Sequence, residues 1–192
     1  PGALVVTGGQ LGGGSPAAIG TLTVGGSATF ANGGGLFRVN RSGLQSDKVT
    51  VAGALANTGT GTITITNLGA ALQAGDTFTL FNKPVTGGNT MKITGAGANW
   101  VNNLAVNGTV QVLNIIATYP TNITTSVSGN TLNLSWPVSH LSWSLQAQTN
   151  SLNVGIANNW VTIPGTAGVT STNITINPAN PAVFYRLFYA AP

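Results

Sequence analysis

The chain has 192 residues, of which 42% are hydrophobic and only 4% are Asp, Glu, Lys or Arg, against roughly 25% charged in ordinary globular proteins. A hydrophobic fraction of that size excludes disorder, which needs low hydropathy and high charge, and the absence of cysteine excludes disulfides and thiolate chemistry. The net charge of +4 comes from six cations against two acids. Arg38, Arg41, Lys48, Lys83, Lys92 and Arg186 are scattered, unlike the clustered basic face of a nucleic-acid binder.

The chain opens on Pro1 rather than Met, which reads as a processed product. Ala3, Leu4, Val5 and Val6 form an apolar strand-former, followed by the Gly-rich stretch Gly8 to Ser15. That stretch lacks the Gly-Lys-Ser/Thr ending of a phosphate loop, and its composition predicts a flexible tether, so that residues 1–15 are an N-terminal strand and its Gly-rich tether. A strand on such a tether is free to add to a neighbouring subunit; the alternative is that it forms the first rung of its own domain.

From here period-2 alternation recurs. Thr21 to Val24, Lys48 to Val51, Thr62 to Thr66, Thr77 to Phe81 and Thr109 to Val112 alternate β-branched or aromatic residues with polar ones, mostly Thr. This pattern places one face inward and the other in water. Leu22, Val24, Val49, Val51, Ile63, Ile65, Phe78 and Leu80 are therefore expected in one core. Gly- and Asn-rich turns separate the strands, which recur roughly every 13–15 residues. The turns are not of one hairpin type and the repeats resemble one another, which favours a short β-solenoid over 16–117. Nothing in the sequence caps either end of such a coil.

After Ala117 glycine thins out and Trp, Tyr, Pro and Ser rise. Thr118 to Thr121 reads as a linker. Beyond it, Ile123 to Ser128 and Thr131 to Trp136 flank the hairpin signal Gly129-Asn130. Ser142 to Thr149, Trp160 to Ile163, Thr172 to Ile176 and Val183 to Tyr189 supply further strands, the last without a following partner. The expected fold is thus all-β: a β-solenoid followed, over 122–192, by a small immunoglobulin- or fibronectin-like β-sandwich.

Gly20-Thr21-Leu22-Thr23-Val24-Gly25-Gly26, Phe37-Arg38-Val39, Asp47-Lys48-Val49-Thr50-Val51 and Leu72 through Phe81 together resemble the bacterial autotransporter-associated β-strand repeat over residues 18–113. Leu132 through Pro137, Gln148 to Asn150, Trp160-Val161 and Phe184 to Leu187 resemble the C-terminal module that follows such repeats. The resemblance implies a secreted or cell-surface β-solenoid of adhesive or structural type and brings no catalytic residues. The chain departs from it in having few rungs and no translocator barrel.

Chemistry-bearing residues are sparse. Asp47 and Asp76 read as a local ion pair with Lys48 and a turn-to-strand start, rather than as a glycosidase pair. His140, the one histidine, reads as a surface-loop residue without a nearby acid. One His and two Asp do not make a transition-metal site, and no Asp-rich repeat signals calcium. No catalytic residue, cofactor or metal site is therefore assigned. Among the tryptophans, Trp136 and Trp160 sit in strand patterns and are expected in the core or at an interface, leaving Trp100 and Trp143 as candidates to stack on a glycan. The Asn-x-Ser/Thr triplets are what chance gives in so Asn- and Thr-rich a chain. No apolar run reaches the ~20 residues of a membrane-spanning helix.

The expected function is a non-enzymatic extracellular structural protein. It would assemble with copies of itself, head to tail, by strand pairing through Ala3 to Val6. The alternative is an adhesin or carbohydrate-binding module whose partners are surface glycans.

Overall fold

A computed structural model describes residues 2–190. The chain is all-β, 46% strand and 7% helix, and divides into two compact units, Pro1–Ile115 and Ile116–Pro192.

The first unit is a β-solenoid-like stack of about three turns. The first turn contains β1 (Leu4–Val6), β2 (Gln10–Leu11) and β3 (Thr21–Val24). The second contains β4 (Ala28–Phe30), β5 (Gly34–Asn40), the short β6 (Gln45–Ser46) and β7 (Lys48–Val51). The third contains β8 (Leu55–Asn57), β9 (Thr62–Asn67) and β10 (Thr77–Thr79), and β11 (Lys92–Gly95) opens a partial fourth. Three parallel ladders run up the stack: β1–β4–β8, β2–β5–β9–β11 and β3–β7. Leu4 lies beneath Ala28 and Leu55, Gly35 beneath Ile63 and Ile93, and Leu22 beneath Val49 and Phe81. A rung therefore takes roughly 24–32 residues. The shorter spacing in the sequence is that of successive strands on different faces of one rung.

Alternation puts the expected residues inside. Val24, Val49, Val51, Ile63, Ile65, Phe78 and Leu80 are buried in one cluster, and Leu22, in the first rung, packs against it half-buried. Phe81 meets Phe30 and Phe37 edge-on, with centroids 5.8 and 5.3 Å away, the arrangement that ring quadrupoles favour.

The far end of the stack is covered in part, where the sequence suggests no cap; among the described residues no strand pairs with the outer edge of β11. β12 (Ala98–Asn103), a one-turn helix α1 (Leu104–Asn107) and β13 (Thr109–Ile115) switch the chain from parallel to antiparallel pairing. Asn102 Nδ2 donates to Gly88 O and Met91 O (2.9 and 2.8 Å), and Val85 N donates to Leu104 O (2.9 Å). These bonds take up backbone groups that another rung would otherwise need.

The Gly8 to Ser15 segment is likewise not a tether. It carries β2 and completes the first rung. A Cβ on Gly13 would lie 2.5 Å from Lys48 O and 2.6 Å from Gly20 O. Gly12, Gly13 and Gly14 are there because neighbouring backbone and the Asp47 carboxylate leave no room for a side chain, whereas Gly8 and Gly9 have open space around them.

The second unit holds two three-stranded antiparallel sheets. One is β14 (Thr124–Ser128), β15 (Thr131–Ser135) and β18 (Ser171–Thr175); the other orders as β17 (Val161–Thr162), β16 (Ser144–Thr149) and β19 (Val183–Phe188). Leu134, Trp136 and Leu145 are buried between partly buried residues of both sheets, including Leu132, Ile174, Ile163, Tyr185 and Leu187. Gly129, at φ +57°, makes the β14–β15 turn with Asn130.

Candidate functional site

Charged residues are few, six cations and two acids. Asp47 is fully buried, and its Oδ2 accepts from Arg38 Nη1 and from the Arg38 backbone N–H, both at 3.0 Å. Its Oδ1 accepts from Gly20 N at 2.8 Å. The partner is thus Arg38, across the β5–β7 corner, and not the neighbouring Lys48. Asp76 lies 3.2 Å from Arg41 Nε, and its Oδ2 accepts from Gln73 N at 2.8 Å. Each carboxylate is spent on backbone donors and one arginine.

His140 is 1% exposed, which corrects its reading as a surface-loop residue. Its Nε2 lies 2.9 Å from Tyr119 O and its Nδ1 3.1 Å from Ser139 Oγ. A carbonyl only accepts, so Nε2 carries the hydrogen, and in the neutral ring Nδ1 accepts from Ser139. The ring packs between Tyr119 and Trp143. Among the described residues, no group of three or more His, Cys, Asp or Glu is placed to hold a metal ion.

Trp143 is 6% exposed, so the expectation that it stacks on a ligand is corrected. It lies between His140 at 4.9 Å and Tyr189 at 5.5 Å, stacked on the latter, and its Nε1 donates to Ala117 O at 2.8 Å. Trp100 is half-buried; it packs against the solenoid core edge-on to Phe78 and donates from Nε1 to Gly95 O (3.1 Å). Trp136 is buried, as expected from its strand pattern. Trp160, expected in the core or at an interface, is half-buried and lies beneath the Arg186 guanidinium, 4.3 Å from its centroid.

What remains open is backbone. Among the described residues no strand pairs with the outer edges of β1, β2 and β3. Leu4 N donates to Ser27 O, and Val6 O accepts from Ala31 N. By strand alternation the N–H and C=O of Val5 therefore point away from the stack, and the Val5 side chain is 56% exposed. Lys48 N donates to Gly20 O, and Ala52 N donates to Val24 O. The same phase turns the amides of Thr21 and Thr23 outward. Ala3 to Val6, the expected assembly strand, is thus placed with Leu4–Val6 paired to its own β4 on one edge and open on the other.

Sequence reading could find these strands but not their free edges, because an edge is defined by which strand lies next door. Comparison with family models, curated proteins and solved structures finds no match to this chain. Among the described residues, no helix is long and apolar enough to cross a membrane.

Proposed function

We propose that this chain is a non-enzymatic extracellular structural protein that assembles with copies of itself by β-strand pairing. The observation that carries this reading is the unpaired first rung. Three strand edges lie side by side there, with Val5 exposed and Leu4, Leu11 and Leu22 only partly buried. Exposed edges of this kind are templates for another backbone. The low charge supports the same reading, since edge strands that avoid association carry lysines or prolines, and β1 to β3 carry neither.

The covered far end alters the geometry of assembly. Rung-on-rung stacking, head to tail, finds only the β11 edge unpaired there, with β12, α1 and β13 beside it. Two open ends meeting about a two-fold axis bury both sets of edges, with their strands antiparallel across the contact. Such an isologous contact closes a dimer, and a fibre then needs a second, heterologous contact. In this proposal the second unit is an immunoglobulin-like module, and the surface location follows from the neutral Thr- and Asn-coated exterior and from the resemblance to secreted repeats.

Sedimentation velocity over a concentration series tests the reading. The wild-type chain is expected to associate, and a Val5→Lys, Thr23→Lys variant to stay monomeric with an unchanged circular-dichroism spectrum. A wild-type chain that remains monomeric at every concentration overturns it.

A further inference from the structure

The last strand, β19, lies at the edge of its sheet, paired on one side with β16. The phase of that ladder is fixed by Asn150 N donating to Ala182 O at 3.1 Å. In antiparallel pairing every second residue exchanges both bonds with its partner. Phe184, Arg186 and Phe188 therefore face β16, and the N–H and C=O of Val183, Tyr185 and Leu187 face the other way. Among the described residues no backbone or side chain accepts or donates to them.

This free edge borders two clefts. One, of about 360 Å³, lies beside Leu132, Ile174, Ile176, Pro178, Pro181 and Val183. The other, of about 310 Å³, is walled by Pro120 to Ile123, Trp143, Arg186 and Leu187. Tyr185 lines both. Its hydroxyl has no hydrogen-bond partner among the described residues, and burial pushes its phenol above the usual value. The larger cleft contains no charged side chain.

We infer that the open edge of β19 is an acceptor site for an extended, uncharged polypeptide segment of another chain, with apolar side chains at alternate positions. Unpaired N–H and C=O groups at every second residue match the spacing of a neighbouring strand. A segment added there turns alternate side chains to the face that Tyr185 and Leu187 occupy, over Ile174 and Leu132. A charge at those positions would be buried without a partner. Affinity comes from the ladder and register from the alternating apolar contacts. The site belongs to the second unit alone and stands whether or not the open solenoid rung self-associates.

Fluorescence anisotropy with a labelled seven-residue synthetic peptide alternating Thr and Val tests this on the full chain. Saturable binding is expected. It should weaken at least tenfold in Val183→Pro, which removes an outward N–H that makes no internal bond, and in Ile174→Trp, which fills the larger cleft. A peptide with Lys and Asp at the Val positions should not bind, and the Val5→Lys, Thr23→Lys variant should bind as the wild type does. Absence of saturable binding overturns the inference. So does equal binding of the charged peptide, or affinity unchanged in both Val183→Pro and Ile174→Trp.

Discussion

Arg38 and Asp47 face one another inside the solenoid corner at 3.0 Å, with side chains 9% and 0% exposed. One of the protein's two acids is thereby committed to holding β3, β5 and β7 in register, through Gly20 N, Arg38 N and the guanidinium. Removing one member of a buried pair leaves the other charge without compensation. Asp47→Ala is expected to destabilise the first unit by about 3–5 kcal/mol, and Asp47→Asn, which retains one acceptor, by less. Urea denaturation followed by circular dichroism measures both; equal stability of Asp47→Ala and wild type would show that the pair is dispensable.

The glycine segment of the first rung offers a paired comparison. A Cβ at Gly14 would collide with Ala18 O and the Asp47 carboxylate, whereas one at Gly8 meets nothing within 4 Å. Gly14→Ala is expected to cost about 1–3 kcal/mol through overpacking, and Gly8→Ala to be close to neutral. Were the segment a tether, thermal melts of the two variants would coincide.

In the second unit the rings Tyr119, His140, Trp143 and Tyr189 follow one another in contact, with His140 and Trp143 buried and Tyr119 exposed at the outer end. Trp143→Ala removes a buried ring and its bond to Ala117 O. Loss of a buried tryptophan costs about 3–5 kcal/mol, so the second unit's unfolding transition should move to markedly lower denaturant. A Trp143→Ala chain with unaltered stability would contradict this placement.

Tyr185 makes the second unit's stability depend on alkaline pH. Burial raises its folded-state value above 10.0, so the unfolded chain loses this proton first. The stabilisation is fully present below the unfolded value and is lost as pH rises through the folded one. Denaturation midpoints should fall more steeply above about pH 10 in wild type than in Tyr185→Phe. Identical slopes would remove the assigned burial effect.

Strand positions and the solenoid core were legible because alternation is a local property: Ile63 and Ile65 go inward whichever strands neighbour them. The change of character near Ala117 was legible for the same reason, since composition shifts there. Partners across long sequence distances were not. Asp47 stands next to Lys48 in the chain but meets Arg38, because the β5–β7 corner folds them together. His140 sits in a polar-looking loop, yet two aromatic rings and a backbone carbonyl enclose it. Gly8 to Ser15 has the composition of a linker, and only stacking against Leu36, Asp47 and Lys48 shows it to be a packed turn. The sequence by itself determined that this chain is β-structured, with an apolar face and a Thr-rich face on most solenoid strands. Tertiary structure alone decided which edges stay open, among them β1 to β3, β11 and β19, and how far β12, α1 and β13 cover the other end. A free edge is the absence of a neighbour, and neighbours in a stack are chosen by long-range pairing that no local pattern encodes.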